Sequence, residues 1–308
     1  MSTIHVITGQ TATGKTARAI RLAKELGGEL VNADSRQVYK ELDIITGKDL
    51  HLTNGTFHTE EKKDTFDIGY YTLKNSPIKL WLYDIVDPNS EFSAFDYKQC
   101  AEIGIQNIVE RGKTPIVIGG SYLYIKNLLY NTVDTNVAPN PKLRERLNKL
   151  SVSELQNMLR DKNMNIFEKM NESDNQNPHR LIRKLEIEEG RCANQNDPIP
   201  TSVFNSNHVN IEGLKYKNTD DLVRAIEVRI QERIDAGAIH EVEKLLKKGL
   251  SPKTPGLNAI GYQQVLSFVE GKKSMEQMIM DWSMKEIQYA KRQSTFMRQN
   301  PDIQWTNI

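Results

Sequence analysis

The first 130 residues alternate between short apolar runs and segments with apolar residues at helical spacing. Ile4–Thr8 reads as a buried strand that runs into a glycine-rich turn. Lys15–Leu26 sets Ala19, Leu22, Ala23 and Leu26 on one helical face, and Gly27-Gly28 stops the helix. Further strands are predicted at Glu29–Asn32, Lys79–Ile85 and Thr114–Ile118, and helices at Ala94–Arg111 and Tyr122–Tyr130. Ser93 is the expected N-cap of the helix at Ala94, and Gly112 its stop. Strands separated by helices form βαβ units, so the pattern predicts an α/β fold with a parallel sheet and helices on both faces.

The pattern changes after residue 130. Fifteen of the 25 asparagines lie between Asn131 and Asn210, a density that disfavours a continuous core there. Amphipathic pieces persist at Pro141–Leu150, Ser153–Arg160 and His179–Glu189. Two readings are open, a small all-helical insertion or a partly disordered spacer. The regular apolar spacing favours an insertion at residues 131–178, within a core made of residues 1–130 and 179–308. A strand returns at Val209–Tyr216. Helices follow at Asp220–Ala236, Ile239–Lys248, Tyr262–Glu270 and Ser274–Arg298.

Composition narrows the classes. With 308 residues the chain has room for two modest domains. Forty-one basic against 40 acidic residues leave no global field, so any polyanion must be held by a local patch. Two cysteines, Cys100 and Cys192, make neither a disulfide framework nor a four-ligand zinc site. They fit a reducing cytosol, and a cytoplasmic monomer is expected. No apolar run approaches the roughly 18 residues that cross a bilayer, and the start of the chain lacks the basic region of a signal peptide, so no membrane partner is expected.

Chemistry enters at Gly9-Gln10-Thr11-Ala12-Thr13-Gly14-Lys15-Thr16, which matches Gly-x4-Gly-Lys-Ser/Thr between a strand and a helix. Glycines let successive N–H groups turn toward a phosphate, and the helix N-terminus adds partial positive charge. Lys15 adds a full charge, and the Thr16 hydroxyl is a ligand for Mg²⁺. The loop calls for a phosphorylated ligand without naming it. Asp84, at the end of the Leu80-Trp81-Leu82-Tyr83 run, fits a Walker-type carboxylate only loosely, and Asp87-Pro88 reads better as a turn.

After the second strand comes Asn32-Ala33-Asp34-Ser35-Arg36-Gln37-Val38-Tyr39. Ligand crevices of α/β sheets lie beyond the carboxyl ends of the strands, which places Asp34 near the phosphate loop. Asp34 or Ser35 would serve there as a helix cap, or Asp34 as a base that accepts a proton from a nucleophile.

These two runs, with Leu42-Asp43-Ile44 and Val117-Ile118-Gly119-Gly120-Ser121, resemble the tRNA dimethylallyltransferases, also called tRNA isopentenyltransferases. Asn177-Pro178-His179-Arg180-Leu181-Ile182-Arg183, Ala259-Ile260-Gly261-Tyr262 and Ala290-Lys291-Arg292-Gln293-Ser294-Thr295 resemble downstream blocks of that family, in the same order. The resemblance implies a P-loop core with a helical module. It also implies transfer of a dimethylallyl group from dimethylallyl diphosphate to N6 of the adenosine 3′ of the anticodon. Asp34 would be the base, and Arg229 would join the loop on the diphosphate. Ser121 would keep the hydroxyl of the family's usual Thr, and Asn177 replaces its usual Asp. The partner implied is the anticodon stem-loop of tRNA. The residues expected to meet it are Asp34, Ser35, Arg36, Gln37, His179, Arg180, Arg183, Gly261, Tyr262, Lys291 and Arg292, and the cofactor is Mg²⁺ at Thr16. The resemblance is to the bacterial form, since no Cys/His pair stands near Ile308 to suggest a zinc finger. Alternatives are an adenylate prenyltransferase with the same chemistry and, from another class, a P-loop small-molecule kinase.

Overall fold

The computed structural model describes residues 3–130, 136–193 and 208–308. Its strands are β1 (Thr3–Gly9), β2 (Gly28–Asn32), β3 (Thr53–Lys63), β4 (Phe66–Leu73), β5 (Lys79–Trp81), β6 (Thr114–Ile118), β7 (His208–Lys215) and β8 (Ile303–Asn307). They form one sheet in the order β3-β4-β5-β2-β6-β1-β7-β8. From β5 to β8 every pairing is parallel, while β4 runs antiparallel to both β3 and β5.

The helices, in chain order, are α1 (Lys15–Leu26), α2 (Ala94–Glu110), α3 (Tyr122–Leu129), α4 (Pro141–Leu147), α5 (Val152–Glu168), α6 (Glu172–Asn175), α7 (Pro178–Ala193), α8 (Thr219–Asp235), α9 (Ala238–Lys247), α10 (Tyr262–Val269) and α11 (Met275–Met297). Strand side chains alternate between two cores, as a period of two requires. Ile7, Leu30, Ile116 and Ile118 meet Ala19 and Ala23 of α1 on one face. Ile4, Val6, Val31 and Val117 meet α2, α3 and the C-terminal helices on the other, through residues such as Tyr97, Ile226, Val265 and Trp282. With both faces covered, the near-continuous apolar runs of the central strands are explained. Ser93 caps α2 as expected, in a capping box with Asp96.

Three elements differ from the sequence expectation. The β3–β4 hairpin is not anticipated, because β3 is almost wholly polar and exposed. Its strand character comes from pairing with β4, whose Phe66, Ile68, Tyr71 and Leu73 are buried. Glu60, Glu61, Lys62 and Lys63 put charge on this edge of the sheet, which opposes pairing with another chain. The expected strand Lys79–Ile85 stops at Trp81, since Leu82 and Asp84 take left-handed backbone conformations, φ 65° and 55°. Strand β8 also escapes the sequence reading: it is short, and Ile303 is its one buried side chain.

The chain divides into two compact units, Met1–Leu129 with Ser202–Ile308, and Tyr130–Thr201. The second unit is wider than the expected insertion at 131–178. Helix α7 belongs to it, because Leu181, Ile182 and Leu185 pack on Leu143, Leu147, Leu155 and Leu159. Its buried polar centre is Glu186, which accepts from the Asn140 amide (2.6 Å), Arg144 Nε (2.9 Å) and Arg183 Nη1 (2.6 Å). Burial pushes the Glu186 carboxyl up, but these donors outweigh it and the pKa lies below the ordinary value.

Candidate active site

Strand β1 ends at Gly9, where a side chain is impossible. Its φ is 139°, and a Cβ would stand 2.1 Å from the Leu214 carbonyl oxygen of β7. The chain then winds over the start of α1. Thr13 Oγ1 donates to the Gln10 carbonyl (2.8 Å), and the Tyr216 hydroxyl donates to the Ala12 carbonyl (2.7 Å). The buried Gln10 accepts from the Tyr216 amide through Oε1 (3.3 Å). Gln293 of α11 bridges two loops: Oε1 accepts from the Thr11 amide (3.0 Å) and Nε2 donates to the Gly120 carbonyl (2.8 Å). Gly14, left-handed at φ 70°, caps α1 without a side-chain cap, so the first amides of the helix stay available to an anion.

The Lys15 ammonium folds back on the loop, donating to the carbonyls of Gly9 (3.3 Å) and Gln10 (2.6 Å). Desolvation, then the nearby Arg229 cation, push its pKa down to about 8, against the pull of Asp34 and Glu286. A desolvated lysine in a cationic setting gains most from an arriving anion.

Asp34 follows β2. Its amide donates to Asn32 Oδ1 (3.1 Å), and its Oδ1 accepts from the Arg36 amide (2.8 Å) in an Asx turn. One carboxylate oxygen thus has a local structural task, and Oδ2 has no protein partner among the described residues. Behind this turn, Ser121 Oγ accepts from the Ser35 amide (2.8 Å) and donates to Ser35 Oγ (3.0 Å). Tyr289 of α11 is part of the cavity wall. Burial and then the Asp34 charge raise its phenol pKa.

A cavity of about 860 Å³ joins these parts. Its wall includes the loop from Thr11 to Thr16, the turn Asp34–Gln37, Arg229 and Arg233 of α8, and Lys285, Glu286, Tyr289 and Arg292 of α11. Arg229 Nη1 donates to Thr11 Oγ1 (3.1 Å), tying helix and phosphate loop. Arg233, one turn on, donates to Glu286 Oε1 (3.1 Å). Opposite them lies the segment 43–47, which Glu241 holds: its carboxylate accepts from the amides of Asp43 (2.9 Å), Ile44 (2.7 Å) and Ile45 (3.3 Å) and from the Tyr262 hydroxyl (2.6 Å). Gly47, at φ 66°, lets both guanidinium groups press on this segment.

The structure therefore brings Thr11, Ala12, Thr13, Gly14, Lys15, Thr16, Asp34, Ser35, Arg36, Gln37, Arg229 and Arg292 to one cavity wall. Other expected site residues have different places. Ser121 acts behind the wall, as the support of the Ser35 turn. Gln37 spends its amide N–H groups on the carbonyls of Thr46 (3.2 Å) and Gly47 (3.0 Å). Tyr262 is fully buried, and a Cβ on Gly261 would lie 2.5 Å from Ile45 Cγ2, so this pair packs against its neighbours and is not part of the cavity wall. Lys291 is exposed on α11. In the smaller unit His179 is exposed, Arg180 pairs with Asp174, and Arg183 is committed to Glu186 and the Val137 carbonyl. Asp84 is buried among Lys48 and Tyr71 and is not part of the cavity wall, whereas Asp87 makes the expected turn with Asn89.

Arg233, Glu286, Tyr289 and the role of Gln293 were not read from the sequence. A helical signal existed: Arg233 is one turn from Arg229, and residues 285, 289 and 292–293 share one face of α11. Among the described residues no group of three or more His, Cys, Asp or Glu is placed to hold a metal ion. The donor set present is one hydroxyl, Thr16, beside phosphate-binding amides. That fits an Mg²⁺ ion carried mainly by phosphate oxygens. No described helix is long and apolar enough to cross a membrane.

Residues 70–300 match the family model of IPP transferase, and residues 2–55 that of isopentenyl transferase. The chain belongs to the IPP transferase family. As an IPP transferase it is a prenyltransferase. It is 33% identical to the tRNA dimethylallyltransferase of Endomicrobium trichonymphae, over 97% of this chain and 93% of that protein. It is 35% identical to tRNA dimethylallyltransferase 2 of Treponema denticola, over 95% and 90%. The crystal structure of the full-length tRNA isopentenylpyrophosphate transferase of Bacillus halodurans superposes with a TM-score of 0.66 at 27% identity, covering all of this chain and 90% of that one. A eukaryotic dimethylallyltransferase, solved acting on tRNA, gives 0.72 at 22% identity over 74% of its length, a likeness of fold alone. In this IPP transferase the two matched segments carry the two sides of the cavity: the loop and Asp34 lie in one, the C-terminal helices in the other.

Proposed function

We propose that this IPP transferase moves a dimethylallyl group from dimethylallyl diphosphate to N6 of the adenosine 3′-adjacent to the anticodon in tRNA, releasing diphosphate. The observation that carries the reading is the single cavity lined by a carboxylate, Asp34, and by a phosphate loop with Lys15 and Arg229. Relatives named tRNA dimethylallyltransferase at 33% and 35% identity support the donor and acceptor classes.

Adenine N6 is a weak nucleophile because its lone pair is delocalised into the ring. Asp34 takes the N6 proton as the N–C bond forms, a task that needs its free oxygen within about 2.6–3.2 Å of the amine. The allylic C–O bond breaks, and its electron pair stays on the diphosphate. Loop amides, Lys15 and Arg229 meet that growing charge where it appears. The Thr16 hydroxyl, with the phosphate oxygens, would hold Mg²⁺, and the ion would supply further neutralisation of the leaving group. A loop base leaves its stack for only a few kcal/mol, so the acceptor reaches a recessed carboxylate more cheaply than a duplex base. Arg36 and Arg292, both on the cavity wall, are cations available to backbone phosphates. Lys291, exposed beside Arg292 on α11, offers a further cation to the RNA backbone.

The test is nucleoside mass spectrometry of unmodified tRNA incubated with dimethylallyl diphosphate and Mg²⁺. Gain of one five-carbon unit on the adenosine 3′ of the anticodon is expected. Gain on free AMP and none on tRNA would instead mark an adenylate prenyltransferase. ADP release from ATP without use of the prenyl donor would mark a kinase.

A further inference from the structure

Arg233 is only 8% exposed, yet it forms part of the cavity wall. Its Nη1 donates to Glu286, itself 8% exposed, while its Nε–H is buried with no acceptor among the described residues. A buried charged donor without an acceptor is costly, on the order of 1–3 kcal/mol or more, and such groups are uncommon in folded proteins. The local charge is also unbalanced. The Arg229 cation perturbs both Lys15 and Arg233, and among the described residues Glu286 is the one carboxylate hydrogen-bonded to these three cations. Desolvation and the Arg229 cation lower the Arg233 pKa to about 10. Gly47 sets the pair: a Cβ there would stand 2.6 Å from Arg229 Nη2 and 3.0 Å from Arg233 Nη2, so both guanidinium groups abut the same backbone. Trp282 Nε1 donates to the same Glu286 oxygen (3.4 Å), which fixes the carboxylate that orients Arg233.

We propose that Arg233 is a second diphosphate ligand, acting with Arg229 as a paired clamp: Glu286 holds one edge of its guanidinium, and on arrival of the diphosphate the side chain turns its unpartnered Nε–H, sealed in the free protein, onto one of the diphosphate oxygens. The inference rests on the reading of the cavity given above and extends it to a residue that pairs internally in the free protein. The planar fork matters here, since an ammonium cannot serve Glu286 and a phosphate in fixed directions.

The experiment titrates inorganic diphosphate with Mg²⁺ into the full-length protein by calorimetry, comparing wild type, Arg233→Lys and Arg233→Gln. Thermal melting and tRNA binding are measured alongside. Diphosphate affinity is expected to fall roughly tenfold in Arg233→Lys and further in Arg233→Gln, with the donor KM rising in step and the tRNA Kd within about twofold of wild type. A lowered Tm with unchanged diphosphate affinity would mean that Arg233 only braces Glu286, and the proposal fails. Should the variants not fold, the Arg233 Nε–H resonance of wild type decides. A shift on saturation with diphosphate supports the clamp, and an unmoved resonance overturns it. If wild type itself binds no diphosphate, the parent reading of the phosphate loop falls first, and the clamp with it.

Discussion

Gly47→Ala separates the geometry of the arginines from the stability of the fold. The added Cβ would lie 2.6 Å from Arg229 Nη2, where ordinary contact begins near 3.5 Å, so the guanidinium must retreat by about 1 Å. The obstructing atoms are the tips of two flexible side chains, so the fold yields cheaply there. The remaining structural penalty is the left-handed backbone at φ 66°, about 1–2 kcal/mol for a residue with a Cβ. Function bears more. Arg229 moves off Thr11, to which it now donates at 3.1 Å, and on the proposed mechanism its charge no longer meets the forming diphosphate. Misplacement by about 1 Å can cost on the order of 100-fold in rate. Single-turnover transfer of a labelled dimethylallyl group to tRNA, measured across donor concentrations, should show kcat/KM for the donor down about 100-fold, while Tm falls only a few degrees. A folded Gly47→Ala protein with donor kcat/KM within twofold of wild type would refute the role given to this contact.

The other predictions concern the base, the lysine and the buried tyrosine. Asp34→Asn keeps an acceptor for the Arg36 amide but cannot take a proton. Transfer should fall by roughly 10²–10⁴-fold with tRNA and diphosphate affinity kept, and near-normal turnover would remove Asp34 as the base. With its pKa near 8, Lys15 loses its charge in the free protein as pH rises through that value, so diphosphate affinity should weaken between about pH 7 and about pH 9. Because this folded pKa lies below the ordinary 10.5, the unfolded chain binds more protons in between, and the Lys15 contribution to stability rises from about pH 8 to 10.5. Calorimetry and melts over that range should therefore move in opposite directions, and parallel trends would contradict the assignment. Tyr262→Phe removes the 2.6 Å bond to Glu241 and should destabilise by about 1–2 kcal/mol in urea unfolding. Its tRNA Kd should be unchanged, and a large loss of tRNA affinity in a stable variant would reinstate direct contact.

What the sequence determined by itself is what lies within a few neighbouring residues. The phosphate loop is contiguous: its glycines, lysine and hydroxyl need only the strand before them and the helix after. The same holds for the Ser93 cap, the Asp87 turn and the alternating strands of the central sheet, all set by local spacing and backbone preference. Asp34 was legible because the end of a parallel strand is already the mouth of the crevice. Tertiary structure decided the rest, where meaning depends on partners far along the chain. Tyr262 and Arg233 both carry polar groups suited to a substrate, yet one is sealed beside Glu241 and the other forms part of the cavity wall. Ser121 supports Ser35 across 86 positions, and Gln293 ties Thr11 to Gly120 across more. Polar β3 is a strand only because β4 lies beside it, and α7 leaves the core because its leucines find Leu143 and Leu155. Burial and charge pairing are properties of surfaces brought together, and no window of adjacent residues contains them.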